Sequence, residues 1–408
     1  MTDPRAFLPT LYASALAAVD GRKSVARALR GQRGETAVVA IGKAAHAMLA
    51  GVKAVPEIGI TDALVITGWE YLPPDPGDSV GARYVMGGHP VPDQRSLDAG
   101  DALLAFLASL PVAQPLLVLL SGGASSMVER LPPAIGLNDL ARLNRWLLGS
   151  GLNIMQMNSI RRAVSDIKGG RLAALLGGRP TQLLMISDVP GDAPHDIGSG
   201  PFSPVPPEAR TLPHDLPEWI AALVRHAAPM PMPDDPAFVS ITGRIVASNA
   251  IARAAVADNA LALGLDVYPR QALVTEEAGV AGYHLADELL GRPSGLHVWG
   301  GEPNVVLPPS PGRGGRCQHF ALAAAQRLSG AGGCHILAAG SDGRDGAGDA
   351  AGALIDGGTV ARGAAAGLDP EDCLARADAG TFLAASGDLL PAVATGTNVM
   401  DLILGLKS

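Results

Sequence analysis

The sequence QLLMISDVPGDAPHDIGSGP, residues 182–201, is the stretch that decides the fold class. It begins with a short apolar run, which is typical of a buried strand. It then passes directly into a loop that carries Asp188, Asp192 and Asp196 among glycines and prolines. Because open α/β sheets bind ligands at the carboxyl ends of their strands, we expect an α/β sheet with a functional site on this loop.

Similar transitions from an apolar run to a glycine-rich turn and a helical pattern recur along the chain. This alternation favours a mostly parallel sheet with helices on both faces. The predicted strands are Ala37–Ile41, Ala63–Thr67, Pro115–Leu120, Gln182–Ile186, Arg244–Ala247, Leu296–Trp299 and His335–Ala339. Residues 137–176 contain no proline and predict two long helices, whereas residues 250–264 and 318–328 predict one helix each.

The length of 408 residues favours two domains over a single core. A proline-rich run over residues 228–236, APMPMPDDP, predicts a linker or a domain edge. We therefore predict an α/β protein of two Rossmann-like domains with a cleft between them. The larger, N-terminal domain (residues 1–236) is built on a mostly parallel sheet, and the second domain spans residues 237–408. Whether the segment after Thr397 packs back on the first domain is left open.

Composition excludes several classes of protein. The net charge is −8 and no basic cluster stands out, which argues against nucleic acid as the main partner. Three widely spaced cysteines give neither a disulfide framework nor a metal-binding pair, and no apolar stretch is long enough for a membrane span. We expect a cytoplasmic protein without a membrane partner, and the sequence leaves the oligomeric state open.

Two glycine-containing turns are candidate phosphate sites. Gly42-Lys43 stands where a strand gives way to a helix, a position that attracts anions, although a solvated lysine is the commoner explanation for such a pair. Ser121-Gly122-Gly123 is followed by Ser125, and backbone amides without side chains nearby can approach a ligand. A tight turn with a serine cap explains that second sequence equally well.

A basic helical stretch contains Asn158, Arg161, Arg162, Lys168 and Arg171. Arginine suits the bidentate capture of carboxylate or phosphate. A solvated helix face is the ordinary explanation for such a pattern. Here the charged residues named are all positive although the protein as a whole is acidic, which favours a binding role for the stretch.

The second half of the chain carries both cationic and acidic candidates. Gly312-Arg313-Gly314-Gly315-Arg316 opens a helix, and mobile loops of this kind can close over phosphates. Glu302 and an aspartate cluster at residues 342, 345 and 349 follow predicted strands, and such oxygens together with substrate phosphates are the usual ligands of Mg²⁺. Taken together, the candidate residues in the two halves of the chain suit phosphoryl transfer better than hydride transfer or hydrolysis.

The motifs resemble those of the glycerate 2-kinases of the MOFRL type, often labelled hydroxypyruvate reductases, over nearly the whole length. The matching segments are residues 42–45 (GKAA), 88–93 (GHPVPD), 121–123 (SGG), 157–161 (MNSIR), 167–172 (IKGGRL), 186–192 (ISDVPGD), 199–201 (SGP), 300–302 (GGE), 312–316 (GRGGR), 349–353 (DAAGA) and 395–399 (TGTNV).

The resemblance implies two Rossmann-like domains and ATP-dependent phosphorylation of D-glycerate to 2-phosphoglycerate with a divalent metal. It also implies that Lys43 and Arg316 are central to activity. The chain departs from the family pattern at Ala124, at Cys317 and His319, and at Ala394, which puts the range of acceptors in doubt.

We expect the phosphates of ATP to lie in the interdomain cleft against the loop at residues 121–126, with Lys43 and Arg316 offsetting charge. Asp188 or Asp192 would position the acceptor hydroxyl or bind Mg²⁺, and Arg161 or Lys168 would hold the glycerate carboxylate. The candidates are Lys43, Arg316 and Asp188 for catalysis; Gly42, Ser121, Gly122, Gly123, Ser125, Asp192 and Gly315 for nucleotide and phosphate; Arg161, Lys168 and Glu302 for substrate; and Asp188 and Asp192 for metal. The alternatives are an NAD(P)H-dependent hydroxypyruvate reductase and a non-catalytic nucleotide-binding sensor.

Overall fold

The computed structural model describes residues 3–72, 81–152, 154–346 and 348–408. These residues form two compact units. The first unit is Gly21–Val246, and the second unit combines Met1–Asp20 with Ala247–Ser408. Each unit is built around its own six-stranded sheet covered by helices, so the predicted α/β class with two domains is confirmed.

The first unit contains a sheet of strand order β3-β2-β1-β4-β5-β6, in which the pairs from β3 through to β5 are parallel. Its strands are β1 (Gly34–Ile41), β2 (Ile58–Thr67), β3 (Ala82–Met86), β4 (Leu116–Leu120), β5 (Thr181–Ile186) and β6 (Ile241–Ala247). Its helices are α2 (Gly21–Ala28), α3 (Ala45–Lys53), α4 (Gln94–Ser109), α5 (Ala124–Met127), α6 (Leu137–Gly149), α7 (Ile154–Ala163), α8 (Arg171–Leu175), α9 (Pro207–Arg210) and α10 (Glu218–Val224).

The central strands of this sheet form from continuous apolar runs of sequence. All five residues of β4 are buried, as expected for a parallel strand covered on both faces. Alternate residues of β1 pack with α4: Val39 and Ile41 share one core with Leu103 and Phe106. A separate apolar cluster joins α6, α7 and α10 through residues that include Leu143, Ile160 and Ile220.

Residues 137–176 form three helices instead of the two long ones predicted. Gly169 and Gly170 have φ values of +63° and +82°, which a right-handed helix excludes. A Cβ on Gly170 would also lie 2.7 Å from the Phe238 ring. The glycines therefore keep α8 separate from α7, which ends at Ala163.

The second unit contains a mixed sheet of order β11-β10-β9-β12-β8-β7. Its strands are β7 (Val267–Pro269), β8 (Gly295–Gly301), β9 (Cys334–Gly340), β10 (Ala350–Asp356), β11 (Leu389–Pro391) and β12 (Asp401–Lys407). Its helices are α1 (Pro4–Val19), α11 (Asn249–Ala262), α12 (Ala278–Gly291), α13 (Arg316–Leu328), α14 (Thr359–Ala365), α15 (Pro370–Ala375) and α16 (Ala379–Ser386).

The C-terminal strand β12 lies between β8 and β9 and runs antiparallel to both. Leu402, Ile403 and Leu404 are at most 1% exposed, so this strand belongs to the core of the second unit. The open question about the segment after Thr397 is thereby answered: the chain end completes the second sheet.

The division into units differs from the predicted boundary at residues 236 and 237. Strand β6 follows the proline-rich run, yet it stands next to β5 in the first sheet, so the first unit extends to Val246. At the other end, α1 packs against α11 of the second unit and buries Leu8 and Leu11. Burial of one such leucine contributes about 1.5–3 kcal/mol, which explains why α1 groups with a sheet distant in sequence.

No helix among the described residues is both long and apolar enough to span a bilayer.

Attachment of α1 can be tested at Tyr12, which is 7% exposed and donates a hydrogen bond to the carbonyl oxygen of Gly340 at 2.5 Å. Tyr12→Phe removes this bond and is expected to lower the free energy of unfolding by about 1 kcal/mol, measured by urea titration and circular dichroism. Thr10→Ala is the control, because the exposed Thr10 hydroxyl bonds only within α1, to Ala6. Equal stability of Tyr12→Phe and the parent protein would show that this contact does not hold α1.

Candidate active site

The strand order of the first sheet changes direction between β1 and β4. Strands β2 and β3 follow on one side of β1, and strands β5 and β6 follow on the far side of β4. A crevice forms at such a point because the loops leave the two strands in opposite directions, and α/β proteins bind ligands there. Lys43 follows β1 and Gly122 follows β4, so the structure brings these two predicted residues together.

Gly42 and Ser121 fix the spacing of these loops. A Cβ on Gly42 would lie 2.4 Å from Ser121 Oγ, and Gly42 has a φ of +117°. Ser121 is fully buried; its hydroxyl accepts a hydrogen bond from the Ala44 amide at 3.1 Å and donates to the Ile41 carbonyl at 3.3 Å. Gly42 and Ser121, both predicted to bind phosphate, therefore hold the two loops together.

Gly123 creates room beside Lys43. The Lys43 amide donates to the Gly122 carbonyl at 2.9 Å, and Gly123 starts α5 with a φ of +81°. A Cβ on Gly123 would lie 3.2 Å from both Lys43 Cγ and His89 Cδ2. The Lys43 ammonium lies 5.6 Å from the centre of the Tyr71 ring. The half-buried lysine thus sits among an aromatic ring, an imidazole and a backbone without side chains.

A cavity of about 150 Å³ lies next to this point. Its volume is below that of pockets for drug-sized ligands, so it suits a smaller molecule. One wall is apolar and includes Pro90, Leu140 and Leu143. The polar side chains of the lining are those of Ser125, Ser126, Glu129, Asn144, Arg161 and Lys168, and Gly123 also borders the cavity. Four predicted ligand-binding residues therefore share one cavity: Gly123, Ser125, Arg161 and Lys168.

Lys168 is paired inside the cavity wall. It is 2% exposed and forms an ion pair with Glu129, which also accepts a hydrogen bond from Ser165 at 2.5 Å. Burial lowers the pKa of Lys168; Glu129 opposes this shift, and the positive charge of Arg161 adds to it. The charge of Lys168 is thus largely balanced by the protein itself.

Arg161 has a different environment. Its guanidinium donates a long hydrogen bond of 3.4 Å to Asn158 Oδ1, and burial lowers its pKa. Within the part of the chain that the structure describes, no carboxylate lies within 4 Å of it. A buried cation without a counter-charge is costly, and a bound anion would remove that cost.

The neighbouring arginines of the basic stretch stabilise the fold. Arg162 is fully buried and donates to the carbonyls of His195 and Ala209 and to Asp196 Oδ1 at 2.9–3.0 Å. Arg171 donates to the carbonyls of Arg162 and Lys168. The predicted cationic stretch therefore contains one arginine at the cavity and two that hold loops.

The acidic loop that follows β5 places its three aspartates differently. Asp196 accepts hydrogen bonds from Asn158 and Arg162 and is structural. Asp188 is half-buried directly after Ser187, and Asp192 has a φ of +54° in a short turn. The same loop reaches α5, where Ser199 Oγ lies 2.8 Å from Ser125 Oγ.

A divalent metal would need ligands beyond these side chains. Among the described residues, no group of three or more histidines, cysteines or carboxylates is arranged to hold a metal ion. Mg²⁺ commonly takes one or two carboxylates and completes its shell with water and substrate phosphates. Asp188 and Asp192 could therefore hold Mg²⁺ only together with oxygen atoms from water and from the phosphates of the nucleotide.

In the second unit, Arg316 is held by two carboxylates. Its guanidinium lies 2.7 Å from Glu302 Oε1 and 2.6 Å from Asp401 Oδ2. Burial alone would lower the pKa of Arg316, but Asp401 and Glu302 outweigh burial and raise the pKa above its usual value. Glu302, a predicted substrate ligand, is therefore a partner of the predicted catalytic arginine.

The start of α13 is already occupied by a carboxylate. Asp345 accepts hydrogen bonds from the amides of Cys317 and Gln318 at 3.0 and 2.8 Å. A Cβ on Gly315 would lie 2.3 Å from Asp345 Oδ1, so Gly315 gives this carboxylate room. The helix start predicted to bind phosphate through Gly315 is capped from within the protein.

Sequence reasoning missed two side chains of this site. Glu129 gives no signal by itself, since it follows the serine-rich turn as a lone carboxylate. His89 belongs to the segment GHPVPD, but the histidines of the chain do not group into a known spacing. Its position next to Lys43 follows from the fold, because the loop after β3 turns back towards the loop after β4.

Stability between pH 4 and 7 is expected to depend on Asp345. Burial and nearby Asp401 raise its pKa from 3.8 to about 6, although three hydrogen bonds oppose the shift. The folded protein therefore binds more protons than the unfolded chain in this range, and the contribution of Asp345 to stability falls as pH rises. The free energy of unfolding relative to Asp345→Asn should decrease by about 2–3 kcal/mol from pH 4 to 7 in urea titrations.

Asp349→Asn is the control for this titration, because Asp349 is an exposed carboxyl of the same loop whose pKa is lowered by Arg313. It should not reproduce the decrease. A difference between the parent protein and Asp345→Asn that stays constant with pH would contradict the assignment.

Two family models match the chain. A domain family designated DUF4147 matches residues 7–216, and the MOFRL family matches residues 295–401. The first match includes strands β1 to β5 of the first sheet, and the second includes β8 to β11 of the second sheet.

Relatives with assigned names cover nearly the whole chain. A putative hydroxypyruvate reductase from Agrobacterium vitis is 34% identical, covering 98% of this chain and 93% of that protein. A D-glycerate 2-kinase from Thermotoga maritima is 32% identical, covering 90% of each.

A solved structure shares the fold. The crystal structure of a glycerate kinase from Thermotoga maritima superimposes with a TM-score of 0.81 at 29% identity, covering 98% of each chain. Together with the family matches, this shows that the chain belongs to the MOFRL-containing family that includes the glycerate 2-kinases.

Proposed function

We propose that this protein transfers the γ-phosphoryl group of ATP to the 2-hydroxyl of D-glycerate. The observation that carries the proposal is the cavity at Arg161, which lies beside the Lys43 and Gly123 loops at the carboxyl edge of the first sheet. Relatives named glycerate kinase and D-glycerate 2-kinase support the same reaction.

The acceptor binds in the cavity through its carboxylate. Arg161 lacks a carboxylate partner within the described residues, so an incoming carboxylate gains a charge-assisted hydrogen bond without displacing one. The rest of the bound acceptor then lies against Ser125, Ser126 and Glu129. The charge of Lys168 is already balanced by its ion pair with Glu129. Lys168 therefore affects the bound acceptor mainly by way of Glu129.

The phosphates lie against the loops after β1 and β4. Lys43 supplies a full positive charge there, and Gly122 and Gly123 let the phosphates approach the backbone. Ser125 remains a proposed phosphate ligand. Gly42 and Ser121 act indirectly by fixing the spacing of the two loops.

A divalent cation, Mg²⁺ in the simplest case, would be held by Asp188 or Asp192 together with phosphate oxygens. When bound, it neutralises charge on the phosphates. Gly315 and Glu302 are proposed here as supports of Asp345 and Arg316, not as direct ligands. The importance of Arg316 for activity and the cytoplasmic location stay predictions.

The reaction can be tested directly. ATP, Mg²⁺ and D-glycerate should give ADP, and phosphorus NMR should identify 2-phosphoglycerate as the product. The names of the Agrobacterium vitis relatives make hydroxypyruvate reduction the second candidate. Oxidation of NADH by hydroxypyruvate, with no ADP formed from ATP and glycerate, would replace the proposed function by that one.

Lys43→Ala is expected to lower kcat by about 100-fold or more, because it removes the charge that offsets the transferring phosphoryl group. Lys53→Ala is the matched control, since Lys53 is an exposed lysine at the far end of α3. Initial rates of ADP formation measure both. Near-normal kcat in a folded Lys43→Ala protein would remove Lys43 from the mechanism.

Arg161→Gln is expected to raise KM for glycerate by about 10- to 100-fold, because a charge-assisted hydrogen bond contributes about 1.5–3 kcal/mol. KM for ATP should change little. Arg145→Gln, at an exposed position on α6, is the control. A rise in KM for ATP instead of glycerate would place Arg161 at the nucleotide.

A further inference from the structure

We infer that His89 is the general base that accepts the proton of the acceptor hydroxyl, and that Tyr71 and Glu70 orient its ring. The inference rests on the proposed function and extends it, because it separates the base from the two aspartates of the acidic loop.

His89 lies at the junction of the catalytic loops. Its side chain is 16% exposed, and its Cδ2 atom would lie 3.2 Å from a Cβ on Gly123. Lys43 Cγ lies at the same distance from that point. The imidazole and the lysine therefore flank Gly123, and the next residue in the chain, Pro90, lines the cavity.

The ring orientation is set from one side. Nδ1 lies 3.2 Å from the Tyr71 hydroxyl and 3.7 Å from Glu70 Oε1. The Tyr71 and His89 rings also meet edge to face, with centres 5.6 Å apart. Nε2 is bonded to Cδ2, so it lies on the ring edge nearer Gly123. The Tyr71 hydroxyl is thus at hydrogen-bond distance from Nδ1, and the Glu70 carboxylate adds a negative charge nearby. A base held through its far nitrogen is a recurring catalytic arrangement.

The cavity lining favours His89 over the aspartates as the base. The segment of His89 borders the cavity through Pro90 and Pro92, whereas neither Asp188 nor Asp192 lines it. The aspartates follow β5, on the other side of β4. His89 itself does not line the cavity. Because its loop borders the cavity and its ring flanks Gly123, we place the acceptor hydroxyl at that rim, beside the imidazole, and leave the aspartates for the metal.

The chemical step balances without any further reactant. The acceptor oxygen forms a bond to the γ-phosphorus as the bond from that phosphorus to the leaving oxygen of ADP breaks, and ADP takes the electron pair. The hydroxyl proton passes to His89 Nε2 and then to solvent. A neutral imidazole is required, so protonation of His89 at low pH stops the step.

Charged and titratable groups near His89 determine how the rate depends on pH. Glu70 stabilises the protonated ring, whereas the positive charge of Lys43 disfavours it. Further along the segment, Asp93 pairs with Arg95. The groups to consider are Glu70, Tyr71, Lys43, Asp93 and Arg95.

His89→Gln is the test of this role. Its kcat should fall by about 100-fold, and KM for glycerate and for ATP should stay within about threefold of the parent values. The parent kcat should decline on acidification, and His89→Gln should lose that decline. His226→Gln, at an exposed histidine outside the site, is the control and should match the parent enzyme.

Glu70→Gln provides a second variant that leaves the imidazole in place. Loss of the carboxylate disfavours the protonated ring, so the acidic decline in kcat should move to lower pH. A role in folding alone would not move this profile.

The outcomes separate the two proposals. A parent protein that forms no ADP from ATP and glycerate overturns the proposed function and this inference with it. An active parent protein whose His89→Gln variant keeps normal kcat, or keeps the acidic decline at a reduced rate, overturns the role of His89 alone.

Discussion

The approach of Gly42 to Ser121 is the constraint on which the site depends. A Cβ at position 42 would lie 2.4–2.8 Å from the Ser121 side chain and from the carbonyls of residues 121 and 122. Any larger residue would push the loop after β4 away from the loop after β1. Lys43, Gly123 and the cavity would then separate, since the bond from the Lys43 amide to the Gly122 carbonyl also crosses this gap. A steric requirement, more than any strong bond, therefore assembles the site.

The two arginines singled out by the sequence have opposite electrostatic environments. Arg316 lies between Glu302 and Asp401, and their combined charge already exceeds its own. Arg161 has an amide oxygen at 3.4 Å, and no carboxylate of the described residues pairs with it. An anion therefore gains more at Arg161, because at Arg316 it must first compete with two carboxylates. This contrast favours the first unit as the place where the substrate carboxylate binds.

Sequence patterns predicted the strands well where every residue of the strand is buried, as in β4. A short, continuous apolar run of this kind is typical of a buried strand. The same patterns missed β12, since a short apolar run at the chain end acquires its place only from β8 and β9, about 105 and 65 residues earlier. Sequence patterns also placed Arg161 and Arg162 in one basic stretch without distinguishing their roles. Adjacent helical residues point about 100° apart, so one reaches the cavity while the other is buried among carbonyls. Composition alone cannot distinguish these two directions.

Sequence patterns also left the roles of the acidic loop undecided, because they do not show which loops meet at α5. Two loops reach α5 from different strands: His89 approaches Gly123, and Ser199 of the acidic loop meets Ser125. A ligand lying on α5 would have the imidazole on one side and the loop of Asp188 on the other. Proton removal and metal binding need different surroundings, because the imidazole base must start neutral and accept a proton, whereas a metal-binding carboxylate must stay deprotonated. With the base and the metal ligands on separate loops, as proposed, one site would satisfy both requirements.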